Sequence, residues 1–293
     1  MMTAKSRAAS LTCWTEKVAV EPLSGGLTNR NFLVRHKGER YVVRIGDDNP
    51  VHLILRWHEL AAAEAAYRAG IAPEIIHAEP GALVMRHIDG RTLTPIEVAE
   101  PRRLAGLVEV VRHCHVKVPE YFRGPALAFW PFHVARHYGR LIAEGGGDWA
   151  EKVPELLALT AQLEKGLGPV ELVFGHNDLL AANFIDDGKR LWLIDYDYAG
   201  LNSPLFDLAN LASNNGFSEE AEREMLGLYY GREADRRMLK SYAAMKAASL
   251  LRETMWSMVS ETHSTIEFDY RGYTLDYRGR LDASVAAFEN IAH

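Results

Sequence analysis

Residues 173–185 read Val173-Phe174-Gly175-His176-Asn177-Asp178-Leu179-Leu180-Ala181-Ala182-Asn183-Phe184-Ile185, and residues 191–200 read Leu191-Trp192-Leu193-Ile194-Asp195-Tyr196-Asp197-Tyr198-Ala199-Gly200. Each segment holds a short apolar run next to a carboxylate, the pattern of a buried strand that delivers an acid to one edge of a site. Asp178 follows His176 in a His-x-Asp triplet, and Asn183 stands five places after it. Asp195 closes the second run. Taken singly, these could be a polar turn and an ordinary strand end. Together they form an ordered set of acids and amide at fixed offsets, and context of that kind is what confirms a motif.

The offsets are those of the protein-kinase catalytic loop, where the Asp receives the substrate proton, the Asn holds magnesium, and a second strand-end Asp binds metal. Tyr196-Asp197 stand where Phe-Gly is usual. The chemistry demands such residues. A nucleotide and its transition state are strongly anionic, so carboxylates can serve only through metal ions or as proton acceptors. On this reading Asn183 and Asp195 hold Mg2+ against ATP. Asp178 orients and deprotonates an acceptor hydroxyl, and His176 and Asp197 support them.

His-Asn-Asp in place of His-Arg-Asp, with Ile194-Asp195-Tyr196-Asp197-Tyr198-Ala199-Gly200 after it, resembles the choline/ethanolamine kinase family, relatives of the aminoglycoside phosphotransferases. The resemblance implies an α+β, protein-kinase-like fold of two lobes. It also implies ATP- and magnesium-dependent phosphorylation of a small alcohol. Protein kinases use the missing Arg to sense a phosphorylated activation loop, and no Ala-Pro-Glu segment follows, so a protein substrate is disfavoured. Kinases for other alcohols on the same fold, such as aminoglycosides or thiamine, form the second reading. A nucleotide-binding regulator without catalysis forms a third.

Toward the N-terminus, strands are expected over Val18–Leu23 and Asn31–Arg35 around Ser24-Gly25-Gly26-Leu27-Thr28-Asn29. Two glycines let backbone amides approach phosphate, although a plain hairpin turn gives the same sequence. The family carries a similar Gly-Gly-x-(Thr/Ser)-Asn, which makes Gly25, Gly26, Thr28 and Asn29 nucleotide contacts by resemblance. Arg44, in the strand Tyr41–Ile45, stands where protein kinases place Lys; its guanidinium can still fork onto phosphate oxygens. A helix over Leu53–Ala69, stopped by Gly70, should offer Arg44 a carboxylate. Glu59 and Glu64 both qualify by composition, and the family's spacing selects Glu59. Two more strands, Glu74–Ala78 and Ala82–Met85, lead to Arg86-His87-Ile88-Asp89-Gly90, the hinge by fold analogy. The expected division is a nucleotide-binding lobe over 1–89 and a catalytic, acceptor-binding lobe over 90–293.

Beyond the hinge, helices are expected over Pro95–Val116, Phe129–Glu144, Lys152–Gly166, Ser218–Gly231 and Glu233–Ser260, with a last helix from about Asp282. His113-Cys114-His115 is a poor zinc site because neighbouring helical side chains diverge. His133 and His137 lack the intervening acid of a metallohydrolase helix. Ser203-Pro204 opens another helix and puts Asp207 in its first turn, where an acid suits the dipole. The family's Asp there braces the catalytic loop. Choline kinases hold the quaternary ammonium in an aromatic box with acids nearby. Tyr198 matches one wall. The ammonium-facing Glu of the family falls at Asn214, and its two Trp a turn apart fall at Glu253 and Trp256. One acid is lost and another gained, which points to a cationic amino-alcohol acceptor without strict choline specificity. The alternative is that Glu253 faces solvent and Trp256 is core. The aromatics Phe268, Tyr270, Tyr273 and Tyr277 read as packing for the last helices.

The bulk properties agree. At 293 residues the chain can bury a large core in two lobes. A net charge of −6 without a basic stripe argues against nucleic acid. No apolar run reaches the roughly 18 residues of a membrane span. Cys13 and Cys114 form no ligand pattern, and no signal-like apolar segment follows Lys5 and Arg7, so a cytoplasmic protein is expected.

Overall fold

Alternating apolar runs near the start of the chain pair into one antiparallel sheet. In the computed structural model, which describes residues 2–23 and 29–292, helix α1 (Ala4–Ala9) precedes strands β1 (Ala19–Leu23), β2 (Arg30–His36) and β3 (Glu39–Ile45). Helix α2 (Arg56–Arg68) comes next, then β4 (Ile75–Glu79) and β5 (Ala82–Arg86). The strand order is β1-β2-β3-β5-β4, every neighbour antiparallel. The β2–β3 turn is Lys37-Gly38, both at positive φ, as a tight two-residue hairpin requires. Gly25, Gly26 and Thr28 of the expected phosphate loop lie outside the described residues.

Strand periodicity sets the first functional side chain. Val43 packs with Val20, Phe32, Val34 and Val84, and with Ala8 of α1, on one face of the sheet. The next residue along, Arg44, is therefore turned to the opposite face, toward α2. Helix α2 buries His58, Glu59, Ala62, Ala63, Ala65 and Ala66. It stops before Gly70, whose φ of 82° suits a glycine after a helix end.

The remainder is mainly helical. Strand β6 (Arg91–Thr92) leads to α3 (Pro95–Val98), α4 (Pro101–Tyr121), α5 (Pro131–Gly145) and α6 (Val153–Leu167). Then come β7 (Val173–Gly175), β8 (Phe184–Asp186), β9 (Leu191–Leu193) and β10 (Gly200–Asn202). Helices α7 (Pro204–Asn215), α8 (Glu219–Tyr230), α9 (Arg236–His263) and α10 (Tyr270–Ala292) complete the chain. Side chains of Ser203, Ser218 and Asp235 cap α7, α8 and α9. This is the expected α+β, two-lobed, protein-kinase-like architecture, a small antiparallel-sheet lobe beside a helical one.

Two expectations are corrected. The single helix over Pro95–Val116 is two helices, because Pro101 has no N–H to donate and forces Glu100 out of the helical region, to φ −66° and ψ 127°. The last helix begins at Tyr270, twelve residues ahead of the expected start at Asp282. The buried side chains of α10 include Tyr270, Tyr277, Leu281 and Phe288. They share one face at helical spacing, so aromatics taken as loose packing are the core stripe of α10. Asp269 starts it by accepting from Gly272 N at 2.8 Å.

Helix α9 is the axis of the larger lobe. From Tyr242 to Ser260 every residue but Lys246 is buried, against α5, α6, α7 and α10. A helix with no polar face belongs inside a core. Among the described residues, no helix is long and apolar enough to cross a membrane.

Candidate active site

Strands β7 and β10 pair antiparallel, as do β8 and β9. The loop 176–183 therefore leaves one ladder and enters another, with Asp195 just past the end of β9. Asp207 braces that loop from the first turn of α7. Its carboxylate accepts from His176 N and Asn177 N, each at 2.7 Å, and from His115 Nε2 at 2.8 Å. Burial alone would raise its pKa, but the His115 bond and the backbone donors outweigh it and hold the carboxyl below its usual range. Asn177 sits at φ 66°, a region Asn tolerates. It is pinned there by Nδ2 donating to Tyr198 O at 2.9 Å and Oδ1 accepting from Asn202 Nδ2 at 2.9 Å. Gly175, at the end of β7, leaves room for this packing, since a Cβ would stand 3.0 Å from Asn177 Oδ1 and 3.1 Å from Asp207 Oδ2 and push on both.

His176 joins the two acid-bearing segments. The hydrogen bonds assign it the neutral Nε2–H tautomer, donating to Ile194 O at 2.9 Å and accepting from Asp178 N at Nδ1, 3.3 Å away. Burial pushes its pKa down, so it stays neutral. Asn183 Nδ2 donates to Asp178 O at 2.8 Å, which leaves the amide oxygen for another partner.

Beside Asp195 the two lobes meet through ions. Arg44 pairs with Glu59, and its Nη1 lies 2.9 Å from both Asp195 Oδ1 and Asp197 Oδ1. Glu59 is buried, whereas Glu64 is exposed, so Glu59 is the carboxylate that meets Arg44. Arg56, which sequence reasoning passed over, adds a second guanidinium, 2.5 Å from Glu59 Oε2 and 2.9 Å from Asp197 Oδ1. Asn29 donates to Asp197 Oδ2 at 3.0 Å and accepts from Arg56.

Three carboxylates face two guanidiniums, which leaves one negative charge over. The deficit falls on Asp195. Its depth in the cleft and the adjacent Asp197 push its pKa up to about 6, against the opposing pull of Arg44. Asp197 is held below its usual range, because Arg44 and Arg56 outweigh burial. Asp195 also stands at φ 69°, an uncommon backbone for a residue other than glycine and one that clusters at functional sites. Its side chain remains 32% exposed and so reachable. Among the described residues no group of three or more His, Cys, Asp or Glu is arranged to hold a metal. One carboxylate, one amide oxygen and phosphate oxygens nevertheless make a hard donor set of the kind magnesium takes. The site fits the metal. The His and Cys candidates do not: His113 bonds Ala69 O, His115 bonds Asp207, His137 bonds Val51 O, and Cys114 is buried.

On the other side of Asp178 a second cluster is built from α9 and α10. Arg252, almost wholly buried, places Nη2 3.3 Å from Asp178 Oδ1 and 2.8 Å from Glu253 Oε2. Its guanidinium lies 5.4 Å from the Tyr198 ring centre and 6.0 Å from that of Phe129. Glu253 does not face solvent; its Oε1 accepts from Tyr273 OH at 2.7 Å. Tyr273 stacks on Tyr277, and Tyr277 OH donates to Asn214 Oδ1 at 3.3 Å. Trp256 is buried against His52, Tyr270 and Tyr273. The structure thus gathers Asp178, Tyr198, Arg252 and Glu253 around one point. It ties Asn214 to them through two tyrosines and sets Trp256 beside Tyr273. Glu253, read from the sequence as a gained acid, is buried and paired with Arg252. Burial, Glu253 and Asp195 push the Asp178 carboxyl up to about 7, with Arg252 opposing.

Residues 19–242 match the model of the phosphotransferase enzyme family, more than half of the chain. The chain belongs to that family. Protein LicA of Haemophilus influenzae is 28% identical to this phosphotransferase over 278 residues, 91% of this chain and 79% of the relative. A probable ethanolamine kinase of Arabidopsis thaliana is 26% identical over 298 residues, covering 87% of this chain and 76% of the relative. The crystal structure of a choline/ethanolamine kinase family protein from Mesorhizobium loti superposes with a TM-score of 0.76 at 26% identity, covering 98% of this phosphotransferase and 94% of that chain.

Proposed function

We propose that this phosphotransferase is an ATP- and magnesium-dependent kinase that phosphorylates the hydroxyl of a small, cationic amino alcohol. The observation that carries the reading is the meeting of Asp178, held by the braced loop, with the carboxylate-rich cleft at Asp195. Similarity to proteins named as ethanolamine kinase and as choline/ethanolamine kinase family supports the acceptor class. Asp178 takes the proton of the acceptor hydroxyl as its oxygen bonds to the γ-phosphorus and the bond to the ADP oxygen breaks. Asn183 and Asp195 would hold magnesium, which when bound neutralises phosphate charge. Arg44, oriented by Glu59, supplies fixed positive charge beside the phosphates, and Asn29 joins that network. Together with the Gly25, Gly26 and Thr28 segment they make 1–89 the nucleotide lobe, and 90–293 the catalytic and acceptor lobe. Dependence on ATP accords with a cytoplasmic setting.

Charge supports a cationic acceptor. Asp178 and Glu253 set two carboxyl groups against the one guanidinium of Arg252, an acid-rich surrounding that suits an ammonium group. The test is a phosphorylation assay with Mg-ATP over choline, ethanolamine, thiamine, an aminoglycoside and glycerol. Ethanolamine or choline should be phosphorylated with kcat/KM well above glycerol. Equal activity on glycerol, or preference for an aminoglycoside or thiamine, overturns the acceptor class. Magnesium-dependent nucleotide binding without transfer to any alcohol overturns the kinase reading.

A further inference from the structure

We infer that Arg252 is a positioning residue for phosphoryl transfer, holding one oxygen of Asp178 so that the other is presented to the acceptor hydroxyl. The inference rests on Asp178 as the proton acceptor. Arg252 lies 74 residues away in the chain, on the axis helix α9, and reaches the catalytic loop from the core side.

Three observations lead there. Arg252 contacts only Oδ1 of Asp178, and the Asp178 side chain is still 15% exposed, so one oxygen is engaged and the carboxylate keeps an open side. A carboxylate can rotate about its last bond with little resistance, because that torsion is broad and two-fold. A proton acceptor needs an oxygen within about 2.6–3.2 Å of the hydroxyl it serves, so a fixed plane is required. Finally, Arg252 is itself immobilised by Glu253 at 2.8 Å and by the Tyr198 and Phe129 rings. Glu253 is fixed in turn by Tyr273. The chain Tyr273, Glu253, Arg252, Asp178 therefore transmits the rigidity of the α9–α10 packing to the reacting oxygen. The competing explanation is that Arg252 is only the counter-ion of a buried Glu253, with its approach to Asp178 incidental.

The test uses four variants of the full chain, Arg252→Met, Arg252→Lys, Glu253→Gln and the double variant Arg252→Met/Glu253→Gln, which leaves no unpaired buried carboxylate at residue 253. In the single and double Met variants kcat should fall by about ten- to a hundredfold with KM for ATP unchanged, the size expected of a misplaced catalytic group. Arg252→Lys should recover part of the loss, since a point charge still reaches the carboxylate but lacks the planar guanidinium that the Tyr198 and Phe129 rings hold in place. A crystal structure of the double variant should show the Asp178 carboxylate plane turned or split between conformers. An unmoved carboxylate overturns the inference whatever happens to kcat. So does a double variant that matches Glu253→Gln alone, which would make Arg252 a counter-ion. If the wild-type chain phosphorylates no alcohol, the functional reading fails separately, and the carboxylate plane still decides the positioning claim.

Discussion

Replacing Asp207 by Asn keeps the size of the side chain and removes its charge, at a residue 1% exposed. The native carboxylate accepts three hydrogen bonds, from His176 N, Asn177 N and His115 Nε2. An amide offers one oxygen, so its NH2 must face one of these donors. That position loses a charge-assisted bond of about 1.5–3 kcal/mol, and the others weaken to ordinary bonds at a cost of roughly 1 kcal/mol each. The loss should total about 4 kcal/mol, a large part of the 5–15 kcal/mol typical of folded proteins. Guanidinium unfolding followed by circular dichroism at pH 7 measures it. The sign of the pH dependence follows from the depressed pKa of Asp207. Its stabilisation is fully present above the unfolded-state pKa of about 4 and is lost as pH falls through the folded-state value. The gap between wild type and variant should therefore shrink on acidification below about pH 4. A loss under about 1 kcal/mol at pH 7, or a gap that widens toward acid, would refute the bracing role.

Asp178→Asn should lower kcat by about 10²–10⁴-fold and leave ATP affinity intact, whereas Asp195→Ala should weaken magnesium and nucleotide binding together; a mutant keeping a tenth of kcat, or normal Mg-ATP binding by Asp195→Ala, contradicts those roles. Arg44→Lys should be milder than Arg44→Ala, and a double-mutant cycle of Arg44→Ala with Glu59→Gln should show strong coupling in nucleotide affinity, additivity being the refuting result.

The residues proposed for the chemistry stand at offsets set by short strands, which is why they can be picked out from the sequence. Asp178, Asn183 and Asp195 are separated by a tight loop and one hairpin, so counting along the chain is counting through space. Asp207 was legible from Ser203-Pro204 as a helix start. Arg252 was not. It sits in an apolar helical run, and nothing local says that its partner is Asp178 rather than solvent. Arg56 was missed for a related reason: a basic residue in a helix's first turn reads as surface charge, while here it is drawn inward by Glu59 and Asp197. The start of α10 was hidden because its tyrosines were read as packing for a helix beginning later, and their own helical spacing went uncounted.

The encasement of α9 bears on how such an enzyme changes its diet. Acceptor selectivity is commonly retuned by lengthening or redrawing a surface loop, where neighbours tolerate the edit. Here Arg252 and Glu253 project from a rod clasped on every side, in an interior where a single methylene is felt. On the proposed function, drift toward a bulkier or uncharged alcohol proceeds by exchanging side chains in place, with each exchange answered by Tyr198, Asn214, Tyr273 or Tyr277. Lineages that altered the substrate should carry their changes as matched sets across α7, α9 and α10.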